Sequence, residues 1–352
     1  MAYTTVDNGE EYFNTVLWTG DASSDKSISG VGFQPDWVWA KNRSDSNDNQ
    51  VIDSNRGAGK ILRTNSNGAE LTRSSDVGAG GLQNFESDGF DVHATSTNTN
   101  LNDNGELNVG WCWKANGGTT SSNSDGDITA TVQANTTAGF SIMTWTSNNA
   151  DNQTIGHGLG AAPEVFWVKI RDATGSWYCY FKEAGATHYL SLNSTGARVD
   201  NVIWGDTHPT SSVITVDTNS LSGSTPTVVS YAFKQIQGYS KFGSYTGNGN
   251  ADGPFVYTGF KPAWLLIKSS GSSGDNWVIC DNKRDTFNVM ENILLANSSN
   301  AEFDETSFDF LSNGFKLRQN AATYNDSGDT FVYMAFAEHP FVSSKGVPVT
   351  AR

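Results

Sequence analysis

The sequence predicts an all-β protein made of three tandem antiparallel β-sandwich-like repeats, jelly-roll or lectin-like in character. Three observations carry that expectation: short apolar bursts, a near absence of helical periodicity, and a set of phrases that recurs three times. The bursts WVWAK, GWCWK, VFWVK, WLLIK and VYMAF are rich in β-branched and aromatic residues, and Gly, Asn, Asp and Ser clusters separate them. That is the pattern of strands between turns. The best helical candidate, Phe287–Asn297, is short and bounded by polar residues on both sides.

Each repeat opens on an aromatic followed by Thr, at Trp18-Thr19, Trp145-Thr146 and Tyr245-Thr246. A proline phrase follows: GFQPDWVWAK from Gly32, GLGAAPEVFWVK from Gly158 and GFKPAWLLIK from Gly259, ending at Lys41, Lys169 and Lys268. The third phrase is SDGFDV from Ser87, SSVITV from Ser211 and SNGFKL from Ser312, and the fourth is GWCWK from Gly110, SYAFK from Ser230 and YMAFA from Tyr333. Shared order and spacing point to duplication of one unit of about 100 residues, the size of a small β-sandwich. The expected units are 1–115, 136–236 and 237–341, with 116–135 as a polar linker or exposed loop and 342–352 as a C-terminal tail.

Period-two alternation assigns faces. Trp37, Trp39 and Lys41 share one face of the proline-phrase strand, as do Val165, Trp167 and Lys169, and Trp264, Leu266 and Lys268. The opposite faces are apolar as well, which marks a central strand covered on both sides. In the fourth phrase Cys112, Ala232 and Ala335 sit between bulky neighbours, so another element is expected to pack closely there. Gly32, Gly89, Gly259 and Gly314 stand where a polar loop enters a strand and are expected at positive φ.

Composition bounds the function. The chain of 352 residues carries 22 basic and 37 acidic side chains, a net charge of −15, and 37% hydrophobic residues. It is expected to fold, and without a basic run it is a poor nucleic-acid ligand. No apolar stretch has the length of a membrane span, and MAYTTVDNGEEYFNTVLWTG lacks a basic start followed by an apolar run, so neither Sec-type export nor membrane insertion is expected. Cys112, Cys179 and Cys280 lie singly in apolar stretches and read as buried free thiols from a reducing compartment.

Tests for chemistry are negative. RGAGK at Arg56 lacks the spacing of a phosphate loop, and the five histidines are scattered singly without a metal-binding pair. Asp45–Asn49 imitates the start of a calcium loop but lacks the glycine at its sixth place, and Asp125 with Asp127 is a second weak match; both read as polar turns. Acid pairs such as Asp304-Glu305 and Glu10-Glu11 point to opposite faces of a strand and nominate no catalytic pair. No catalytic residue, metal site or cofactor is expected.

Binding candidates remain. Asp53 with Arg56 recurs as Asp281 with Arg284, after QVIDSNR and WVICDNKR, while the second copy lacks the pair. It reads either as a sugar- or partner-binding turn or, the preferred reading, as an ion pair that organises the turn. Trp37, Trp39, Trp111, Trp113, Trp167 and Trp264 are expected in the core, and Trp177, Trp204 and Tyr245, beside polar loops, are the expected surface aromatics.

GFQPDWVWAKNRSD, SDGFDV, GWCWKANG, GYSKFGSYTGNG, GFKPAWLLIK and LSNGFKLR resemble repeated segments of virion proteins of marine tailed bacteriophages that infect cyanobacteria and pelagic bacteria. The resemblance spans almost the whole chain. It implies a non-enzymatic structural protein on the particle surface, assembled in the host cytoplasm, with other capsid or tail proteins, a host surface glycan and further copies of the chain as partners. Head decoration is the first placement and a tail fibre or host-adhesion protein the second; a polysaccharide depolymerase ranks behind both. Linked copies would let weak sites act together through high effective concentration.

Overall fold

The computed structural model describes residues 3–72, 81–94, 101–218, 221 and 225–348. The last four residues of the expected C-terminal tail lie outside that range. Strands dominate throughout, with two 3-10 turns and one four-residue helix, Ala322–Asn325, among the described residues. The helical candidate Phe287–Asn297 is instead the strand Met290–Leu295, paired on one side with Val278–Asp281 and on the other with Phe303–Leu311. Two strand neighbours satisfy its backbone, and that tertiary pairing overrides a weak local pattern.

One four-strand order occurs three times. In the first copy it runs Phe13–Thr19, Leu107–Trp113, Trp37–Asn42, Gln50–Asp53; in the second Phe140–Thr146, Thr227–Phe233, Val165–Ile170, Tyr178–Phe181; and in the third Ser240–Thr246, Thr330–Pro340, Phe260–Ser269, Val278–Asp281. The proline-phrase strand is central in each and is buried along its whole length in the first two copies. Cys112, Ala232 and Ala335 are buried where their small side chains were expected, facing a satellite core inside each copy. In the first copy Val38, Ala40 and Cys112 meet Ile28, Leu82, Phe90 and Val92 of a second, three-strand sheet.

The other face of all three four-strand sheets is shared. Trp37, Trp39, Trp111 and Trp113 of the first copy, Phe140, Trp167, Tyr231 and Phe233 of the second, and Phe242, Trp264, Met334 and Phe336 of the third form one buried hub. Trp37 lies within 4.5 Å of Trp113 and 4.9 Å of Tyr231, ring centre to ring centre, and Trp113 meets Trp264 at 5.4 Å and 89°. Edge-to-face packing of this kind is the geometry that the aromatic quadrupole favours. The copies are therefore held rigidly around one core, rather than strung along a flexible linker as the effective-concentration argument supposed.

The expected linker 116–135 is also built into the fold. Ser121–Asn123 pairs with Ala130–Asn135, which in turn extends the second copy's sheet beside Phe140–Thr146. Its first turn wraps the buried Asp36, whose carboxylate accepts from the backbone N–H of Ala115, Gly117 and Gly118 at 2.7, 2.8 and 2.6 Å. Three N–H donors on a buried carboxylate fix a segment that its polar composition alone makes look loose. Of the four entry glycines, Gly32 and Gly259 share a φ of +85°. Gly314 is not at positive φ; it is required by space, since a Cβ there would stand 2.2 Å from the Val256 carbonyl oxygen.

The copies are wired in a ring. Lys41 donates to the Ser299 carbonyl of the third copy at 3.0 Å, Lys268 to Thr195 of the second at 3.4 Å, and Lys169 to Asn67 of the first at 3.4 Å. The same circuit is repeated by side-chain N–H groups: Asn49 to Ala296 at 2.8 Å, Trp277 to Ser191 at 3.0 Å and Trp177 to Arg63 at 2.8 Å. Backbone N–H groups bridge the same three seams in the opposite direction, Glu302 to Arg43, Arg198 to Ser270 and Glu70 to Arg171. Each copy thus grips its neighbour with matching residues, giving a cyclic pseudo-threefold body within one chain.

Burial holds the pKa of Lys41, Lys169 and Lys268 down at about 8. The unfolded chain keeps each proton up to about 10.4. Below pH 8 both states are protonated and the folded state bears the full cost of burying the ammonium; between 8 and 10.4 the folded state has released the proton, so stability from these groups rises with pH. A Lys41→Met variant isolates the effect. In denaturant titrations, wild type should gain about 2 to 3 kcal/mol on the variant between pH 7 and pH 10, and a difference independent of pH would show that the ammonium is not desolvated.

Candidate functional site

Where a repeated strand ends in Asp and a tight turn brings Arg back three residues later, the two side chains meet inside the protein. Asp53 and Arg56 approach to 2.5 Å, Asp281 and Arg284 to 2.6 Å, and none of the four side chains is accessible. Each carboxylate also caps the turn by accepting from the Arg backbone N–H, at 2.7 and 3.0 Å. Burial opposes the guanidinium charges, but Asp53, Tyr231 and Glu70 around Arg56, and Asp281 and Glu302 around Arg284, outweigh it and hold both above the ordinary arginine value. As exposed binding groups, Asp53, Arg56, Asp281 and Arg284 are excluded by this burial; they organise their turns.

They also close the seams between copies. Tyr231 of the second copy donates to Asp53 at 2.6 Å, and Trp111 of the first donates to Asp281 at 2.9 Å. Glu70 joins Arg56 to Arg171, and Glu302 joins Arg284 to Arg43. At the remaining seam every equivalent position differs: Phe181 and Ala184 stand for Asp and Arg, Arg198 for Glu, Ser270 for Arg, and Met334 for the indole or phenol donor. The pair missing from the second copy is thus missing together with its partners on both sides, because a buried carboxylate without its cation and donors would be costly.

The three expected surface aromatics are buried. Trp177 and Trp204 have no accessible surface and Tyr245 retains 9%. Trp204 donates to the His188 carbonyl at 2.9 Å and packs edge-on to Phe166 at 4.7 Å, while Tyr245 donates to the Tyr324 carbonyl at 2.6 Å and stacks on Phe331. An internal carbonyl satisfies each polar tip, so the ring can leave water even beside a polar loop. Asp45 and Asp48 serve their own loop and Arg63, and Asp127 accepts from Thr154, all as turn-forming groups.

Beside the Asp281–Arg284 turn lies a cavity of about 680 Å3 at the end of the third copy. One wall is the outer side of the Asp281–Arg284 turn with its continuation, Asn282 and Asp285–Asn288; the other comes from Leu311–Asn313 and from Lys261, Glu338 and His339. The turn is fixed. Asp285 accepts from the backbone N–H of Glu291 and Asn292, both at 2.9 Å, and Asn288 exchanges two hydrogen bonds with the Phe310 backbone at 2.9 and 2.8 Å. Lys261 is paired with Glu338 at 2.5 Å. Phe287 lines the cavity and is 77% exposed. Sequence reasoning reached the root of this turn but missed its face; the lone Phe287 in the polar run DNKRDTFN was the available signal.

A family model described as a domain of unknown function, DUF7483, matches residues 8–340. The chain belongs to the DUF7483 family. No curated protein and no solved structure matches it. The DUF7483 match begins just before the first hub strand and ends at Pro340, the last residue of the final one, so the family unit coincides with the whole ring of copies rather than with one of them.

Proposed function

We propose that the protein is a non-enzymatic structural component of a tailed-bacteriophage virion, displayed on the particle surface as a head decoration. The resemblance of its repeated phrases to marine phage virion proteins supplies the context. The observation that carries the placement is the cyclic wiring. A body with pseudo-threefold wiring around one shared core has a geometry suited to a threefold position in a shell. Its partners in this reading are capsid proteins, and its place is the virion assembled in the host cytoplasm. A tail or host-adhesion role is the second reading, favoured by the open cavity beside Phe287. Cryo-electron microscopy of the intact virion tests both. Density for the three-lobed body at regular sites over the head is the expected result; density confined to the tail selects the second reading, and absence from the particle overturns both.

A further inference from the structure

We propose that the cavity at the end of the third copy binds a neutral saccharide, with Phe287 as the stacking face. The inference stands on the cavity's own residues and holds whether the protein sits on a head or on a tail.

Its volume, about 680 Å3, falls in the roughly 300 to 1,000 Å3 range of small-ligand sites. The wall mixes amide, hydroxyl and carboxylate groups with exposed ring surface, which suits a ligand that has hydroxyls on its edges and C–H groups on its faces. A phenyl ring exposed to 77% contributes little to folding but offers a flat apolar surface to a sugar ring.

Charge disfavours an anionic ligand. The protein carries a net −15, Asp285 and Glu338 line the cavity, and the lysine on its wall, Lys261, is already paired with Glu338. An anionic sugar would meet carboxylates without an uncommitted lysine to offset them. Preorganisation favours binding as well, because the buried Asp281–Arg284 pair, Asp285 and Asn288 hold the turn before any ligand arrives.

The first copy shows the contrasting state of the same turn. There Asn55 donates to the Thr131 carbonyl at 3.1 Å and accepts from Thr144 at 2.8 Å, and Ser54 donates to Gln133 at 3.0 Å, so strands leading into the second copy cover it. In the third copy the turn past Asn282 is left open, with Lys283 reaching Glu10 at the side.

The test is saturation-transfer NMR and calorimetry on the full chain, with a panel of neutral methyl hexosides, N-acetylhexosaminides and their disaccharides as probes and an alginate oligosaccharide as the anionic comparison. At least one neutral probe should bind. Phe287→Ala should weaken that binding about tenfold with the melting temperature unchanged, because the ring it removes is exposed, while Phe287→Trp should retain binding. Binding of no neutral probe, binding of the alginate alone, or full binding by Phe287→Ala would overturn the proposal.

Discussion

Arg56→Ala is expected to cost about 3 to 5 kcal/mol of folding stability, read from the urea midpoint, because it strands Asp53 in the interior without its cation and removes a partner from Glu70. Arg284→Ala should cost a similar amount at the matching seam, where Asp281 and Glu302 lose theirs. The protein itself supplies the control. Its third seam carries Phe181, Ala184 and Met334 at the positions of Asp53, Arg56 and Tyr231. The combined variant Asp53→Phe, Arg56→Ala, Tyr231→Met replaces a buried charged network by that apolar solution, with Glu70 still held by Arg171 at 2.8 Å. Such exchanges are often neutral, so the triple variant should recover more than half of the loss seen in Arg56→Ala alone. A triple variant less stable than the single one would show that the seams are not interchangeable.

Trp37→Ala should be comparably severe, at about 3 to 5 kcal/mol, and its effect should reach all three copies. The ring packs against Trp39 and Trp113 of its own copy and against Phe140, Trp167, Tyr231 and Phe233 of the second. Tryptophan fluorescence and far-ultraviolet circular dichroism should therefore shift together in one transition, whereas independent domains would give separate ones. For the same reason the first copy expressed alone, residues 13–115, should not fold. Phe13, Trp37, Trp39, Trp111 and Trp113 all face the shared hub, and outside the ring each would present a large apolar ring to water. A cooperative, monomeric fold of that fragment would contradict the shared-core architecture.

Much of the fold is legible because strand alternation is local. The all-β class, the covered central strands, the tryptophans of the hub and the small residues Cys112, Ala232 and Ala335 all follow from which neighbours stand two residues apart. The Asp–Arg turns are legible for the same reason, since both partners lie within three residues of each other. The misread positions depend on distant chain. Trp177 is buried by a carbonyl 114 residues away, and Asp36 turns an apparent linker into structure with N–H groups about 80 residues on. The cavity beside Phe287 is harder still to read, since among the described residues no strand covers the third copy's turn as Ala130–Asn135 and Phe140–Thr146 cover the first copy's.

By itself, then, the sequence determined the all-β class, the strands and their faces, because period, turn chemistry and side-chain size act over a few residues. Only the tertiary structure decided that the copies close into a ring on one aromatic hub, that Trp177, Trp204 and Tyr245 lie inside it, and that one turn stays open. Those outcomes depend on which apolar faces meet and which polar tips find a carbonyl, and both are settled by segments far apart in the chain.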